Sequence, residues 1–243
     1  MISDFNCKIF DIDKLSTISS FIDTECLERE KIKSDLKIMD SCSIHRLVCQ
    51  ISHNENCSVR QTKNKISLFK KYINQSIPKE FKNKFDIYAY PKIQLSQSSS
   101  YINRFSSLCF GADNYIFLEL PIFPSSFEMI DSSINKILYN CKALPIFTDF
   151  QIYNDIYSPD LIRRLINIKG AAFQIMLSRT LRDEDIDIIR KVYLTENIVL
   201  FGISADHNHL NKSMIIQNIC SLQKKLGDNT YIDILIKAHN FLR

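Results

Sequence analysis

The stretch Asn197-Ile198-Val199-Leu200-Phe201-Gly202-Ile203-Ser204-Ala205-Asp206-His207-Asn208-His209 decides how this chain is read. Its first half is a continuous apolar run of strand length, the pattern of a strand buried on both faces of a parallel sheet. Its second half turns abruptly to a carboxylate, two imidazoles and an amide. In α/β folds functional groups collect where parallel strands end, because the strand is rigid and the loop after it is free to vary. The C-terminal edge of the sheet is therefore where a site is sought.

Working outward, short β-branched or aromatic runs alternate with helical patterns. Strands are expected at 21–24, 45–51, 85–90, 115–120, 143–148, 171–177 and 197–203, seven in all. Helices are expected at 28–40, 63–77, 182–194, 214–226 and 231–242. Ser125 and Glu128 form a capping-box pattern ahead of a stripe of Phe127, Ile130, Ile134, Ile137, Leu138 and Cys141. Ser158-Pro159 supplies an N-cap and a first-turn proline for a helix over 161–168, with Gly170 just past its end. Alternation on this scale implies a parallel sheet with right-handed crossovers, closed as a barrel or open and doubly wound. We read residues 1–243 as one domain, with no repeat or linker to divide them.

Composition is that of an ordinary globular chain: 45% hydrophobic and 24% charged residues over 243 positions are enough for a full core. The net charge of +4 does not select an anionic partner. A basic run from Arg60 through Lys63, Lys65, Lys70, Lys71, Lys79, Lys82 and Lys84 lacks a nucleic-acid motif and reads as a solvated helix face, so no nucleic-acid partner is expected. The eight cysteines show no CxxC or zinc spacing and read as reduced, buried thiols. Without a secretory leader pattern or a run of membrane-spanning length, the expected location is the cytoplasm, with no membrane insertion.

The residues at or past the expected strand ends are Glu25, His53, Gln94, Glu119, Asp149, Ser178 and the Asp206, His207, His209 group. Carboxylates and imidazoles converging on a barrel mouth could hold one divalent metal (Mn, Zn, Mg or Fe) and acidify a bound water, or they could be solvated loop groups holding none. Glu119, inside Ile116-Phe117-Leu118-Glu119-Leu120, needs a metal, a cation or a hydrogen-bond network to offset its burial. Asp149 could instead turn the chain into the next helix. His53 reads as solvated within a polar loop, and His45 and His239 as structural. No nucleophile elbow, phosphate loop or dinucleotide fingerprint is present, and no catalytic residue is assigned.

Four segments, Tyr115 to Pro121, Ala143 to Tyr153, Gly170 to Ile175 and Ser204 to Asn208, resemble in order and spacing the PHP-domain bacterial protein-tyrosine phosphatases of the CpsB/YwqE type. The resemblance implies a distorted, TIM-like seven-stranded βα barrel. It also implies a metal cluster that hydrolyses phosphotyrosine on the kinases of capsule and exopolysaccharide assembly, and so a bacterial tyrosine kinase of polysaccharide assembly as partner.

By the same resemblance the opening His-x-His motif falls on Glu25 and Leu27, and the ligating histidine of a second motif on Ser52. Glu119 keeps an acidic ligand. Asp149 replaces a histidine and Ile152 a phosphate-contacting arginine. His207 is kept, its aspartate is displaced to Asp206, and Lys212 stands where a downstream phosphate-binding residue lies. Most metal ligands of a hydrolase are thus replaced, and two readings follow. The first is a divergent, pseudoenzyme-like relative whose metal-dependent activity is weak or lost. The alternative is an active metal-dependent phosphoesterase with a rearranged ligand set of Glu119, Asp149, Asp206, His207 and Glu25.

Overall fold

The computed structural model describes residues 2–4, 24–53, 57–95, 105–122, 127–203 and 211–241. Seven parallel strands run in sequence order through one sheet: β1 (Ile2–Asp4), β2 (Ile44–His53), β3 (Asp86–Gln94), β4 (Tyr115–Glu119), β5 (Leu144–Phe147), β6 (Ala172–Met176) and β7 (Ile198–Gly202). Consecutive strands pair from β1 to β7, and the seam between the two ends is bridged by a side chain. The buried Asp4 carboxylate accepts the Ile203 N–H at 2.8 Å. The result is a nearly closed barrel, the distorted βα barrel that the sequence implies.

The helices are α1 (Thr24–Ser41), α2 (Val59–Ser76), α3 (Phe127–Asn135), α4 (Phe150–Ile156), α5 (Pro159–Ile166), α6 (Asp183–Leu194), α7 (Lys212–Leu226) and α8 (Asp228–Asn240). A π turn, Lys136–Asn140, extends α3 and keeps Ile137 in the core. Helix ends follow local chemistry. At α2 the Ser58 hydroxyl accepts the Gln61 N–H while the Gln61 side chain accepts the Ser58 N–H at 2.7 Å, a reciprocal cap. At α5 the Ser158 hydroxyl caps Leu161 N and Pro159 opens the helix, burying Leu161, Ile162, Leu165 and Ile166 on one face.

Period-two alternation sorts the strand residues into two layers. Leu47, Cys49, Ile51, Ile116, Leu118, Phe173, Ile175, Val199 and Phe201 pack outward with the helices, whereas Val48, Phe117, Ile146, Ala172 and Leu200 fill the barrel. The bottom of the barrel, where strands begin, is closed by α8: Phe241 packs against Tyr115 at a tilt, centroids 4.4 Å apart, and the Arg46 guanidinium donates to the His239 carbonyl.

Three expectations need correction. The barrel opens with Ile2–Asp4, not with a strand at 21–24: Thr24 already begins α1, and 21–23 lie outside the described residues. Three residues, too few for a visible alternation, are held there by pairing with β2 and by the Asp4 bridge. Strand β3 also runs on to Gln94, past Pro91. The proline is tolerated because the β3–β4 ladder starts only at Lys92. Among the described cysteines, Cys49 and Cys141 are buried as expected but Cys220 is exposed.

Candidate functional site

Inside the barrel polarity rises toward the C-terminal mouth. Above the apolar layer the Gln50 amide donates to Gln174 Oε1 at 3.1 Å, a bond between β2 and β6 across the interior. Higher still, Lys92 and Glu119, on neighbouring strands, form an ion pair with Nζ 2.5 Å from Oε2. The Lys92 side chain is only 15% exposed and that of Glu119 33% exposed. Lys92 thus supplies the cation that an acidic group in an apolar strand requires, and the sequence reading missed it. Alternation of Tyr88, Tyr90, Lys92 and Gln94 with Ile87, Ala89, Pro91 and Ile93 marks which face Lys92 shares, though not its partner, and Pro91 hid the continuation of the strand.

Asp149 follows β5 and sits in the left-handed region at φ 50° and ψ 39°, turning the chain directly into α4. Aspartate is among the few residues that adopt this conformation at modest cost. It makes no capping bond to α4; Ile152 N donates to the Asp149 backbone carbonyl instead.

Tyr153, one turn into α4, ties this corner together. Its hydroxyl accepts the Leu120 N–H at 2.9 Å and donates to the Leu120 carbonyl at 3.1 Å, satisfying the backbone just after Glu119. Burial pushes this phenol far above its ordinary range, and the carboxylates of Glu119 and Asp149 push the same way. Both acids therefore share the neighbourhood of one hydroxyl. Gln151 performs the same task on β6, its amide bonding both Met176 N and Met176 O at 3.0 Å.

The remaining expected residues are placed as follows. Glu25 lies in the first turn of α1, not at the end of a strand, and its side chain is outside the described residues. Asp206 and His207 are also outside them. Lys212 is exposed at the first position of α7. Ile152 is half-buried on α4 and brings no charge to this corner. His53 is not solvated: it ends β2 at 2% exposure, with Nδ1 2.6 Å from Thr62 Oγ1 and its ring edge-on to Phe105. Burial lowers its pKa, and the nearby Lys65 charge adds to the effect. His45 is structural as expected, bonding Asp40 at 3.1 Å. Among the described residues no three His, Cys, Asp or Glu side chains converge as a metal site.

No family model matches this sequence, and no curated protein matches it. Among solved structures, it is similar to a chain from the crystal structures of YwqE from Bacillus subtilis and CpsB from Streptococcus pneumoniae, described as unique metal-dependent tyrosine phosphatases. The alignment covers 100% of this chain and 94% of that chain, at 16% identity and a TM-score of 0.59. What is shared is the fold. The Glu119 carboxylate lies 2.5 Å from the Lys92 ammonium, so a dication placed on the same oxygen would face that charge at close range.

Proposed function

We propose that this protein is a tyrosine-phosphatase-like barrel in which metal-dependent hydrolysis of phosphotyrosine is weak or lost. It retains the scaffold as a binding component of the polysaccharide-assembly machinery, with a bacterial tyrosine kinase as the partner the resemblance implies. The observation that carries this reading is the Lys92–Glu119 ion pair. A carboxylate compensated by its own lysine has its charge neutralised within the chain, so it gains far less from an incoming cation than an uncompensated one would. Ile152 adds to the case, because it offers no positive charge to a phosphoryl oxygen.

The test is elemental analysis of purified protein together with turnover of a phosphotyrosine peptide in added Mn, Zn, Mg or Fe. The expected result is substoichiometric metal and turnover near background in every case. Hydrolysis that depends on one of these ions and is abolished by Glu119→Ala would overturn the reading. It would establish instead the rearranged site of Glu119, Asp149, Asp206, His207 and Glu25, with Lys212 on the phosphate.

A further inference from the structure

Helix α2 carries Arg60, Lys63, Lys65, Lys70 and Lys71 and no acidic residue. These five cations exceed the net charge of +4 of the entire chain. Cations on the other helices are repeatedly matched: Arg163 with Asp160, Arg164 with Asp131, Arg190 with Asp187, Lys225 with Asp183 and Lys237 with Asp233. Among the described residues the side chains of the five on α2 form no ion pair or hydrogen bond.

Their spacing organises them. Thr62, Phe69 and Ile73 bury one face of α2, and Arg60, Lys63, Ser67, Lys70, Lys71 and Asn74 recur at helical intervals as an exposed stripe on another. From Arg60 to Lys71 the stripe rises about 16 Å. The helix starts at the mouth end of β2, so the stripe runs from the mouth down the outside of the barrel.

We propose that this stripe is the docking surface for an acidic segment of a partner protein. Charge complementarity selects an anionic partner, and the stripe's other residues select its kind. It holds no aromatic side chain on which a base could stack. It holds no apolar side chain to enter a bilayer, the exposed Leu68 lying off to one side. A single file of four cations meets at most about four phosphates of a nucleic acid, which supports only weak binding. An extended acidic segment of about five residues spans the same 16 Å, and Ser67 and Asn74 supply hydrogen bonds between the charges. The inference does not depend on whether the barrel hydrolyses phosphotyrosine.

The experiment titrates the full chain with a synthetic poly-glutamate peptide by calorimetry at two ionic strengths. Wild type is expected to bind, more weakly at the higher salt. K63E/K70E should weaken binding by about tenfold or more, whereas K191E/K224E, which removes the same net charge from exposed positions elsewhere, should change it by less than about twofold. K63R/K70R should retain binding, and circular dichroism establishes that each variant is folded. Equal losses in the two charge-reversal variants would overturn the proposal by reducing it to net charge. Failure of wild type to bind, or tighter binding to duplex DNA or phosphatidylserine vesicles than to poly-glutamate, would overturn it as well.

Discussion

The two ends of this barrel are built from opposite materials. At the bottom, Tyr115 packs on Phe241 beneath α8, and Tyr90, Phe110 and Phe117 continue the apolar packing into the barrel as a stack with centroids 3.8 and 5.3 Å apart. At the mouth the interior holds amides, an ion pair and a left-handed aspartate. Apolar packing is non-directional and depends on close fit, so burial at the closed end stabilises the fold directly. Polar groups cost desolvation and stabilise only when paired, so the mouth adds little stability and holds whatever chemistry the protein retains.

The sharpest way to break this contrast is to delete one aromatic ring from the packed interior. Phe117 is fully buried and touches the stacked column. Phe117→Ala should cost about 3–5 kcal/mol in urea denaturation, enough to remove a large part of a domain's stability. A loss below about 1 kcal/mol would show that the apolar interior beneath the mouth is loosely packed and that the contrast is wrong.

At the mouth the expected effects are smaller and depend on pairing. Lys92→Met alone or Glu119→Gln alone leaves the surviving charge without its partner and should cost about 1–2 kcal/mol, between the values for exposed and for buried pairs. The double variant should recover most of that loss, because neither charge remains to be compensated. Additive losses in the cycle would mean that the two residues act independently and that the ion pair does not hold the mouth.

The same contrast explains what could be read from the sequence. Six of the seven strands and most helices were legible because burial marks the chain, as a continuous apolar run in Ile198–Gly202 and as a helical stripe in α5. Strand β1 was not, since three residues carry no period and its bridge comes from Ile203, far along the chain. Glu119 stood out as an acid in an apolar strand, but its partner could not be named: that Lys92 faces it depends on the register of β3 against β4, which no local pattern encodes. His53 was misread for a related reason. Its flanking residues are polar, and only Thr62 and Phe105, brought in by tertiary packing, make the position dry.

Asp149 tests whether the mouth keeps its shape through backbone geometry or through charge. Asp149→Val forces a β-branched residue into the left-handed region and should cost about 1–2 kcal/mol in denaturant titration, whereas Asp149→Asn, which tolerates that region, should change stability by less than about 0.5 kcal/mol. An Asn variant as damaged as the Val variant would show that the carboxylate, not the turn, is what the corner needs.

The smallest expected effect is a titration, and it too should appear at the mouth end. Burial holds the folded-state pKa of His53 below its ordinary value of 6.5, so the unfolded chain takes up the proton first as the solution is acidified. The stability that neutral His53 contributes is complete above about pH 6.5 and is lost as pH falls toward its depressed folded value. Three acidic side chains do not share this window: Asp40, Asp183 and Asp233 are held below 3.8 chiefly by bonds to Lys84, Lys225 and Lys237, and their contributions fade only at lower pH. At the bottom, burial raises the Tyr115 phenol above its ordinary 10, so it stays neutral throughout this range. Thermal unfolding between about pH 7 and 5 should therefore show a midpoint that falls with acidification in wild type and a flatter profile in His53→Gln, even though the variant starts lower for want of the imidazole's fit against Phe105. Parallel profiles for the two proteins would assign the acid sensitivity to some other group and remove His53 from the account of the mouth.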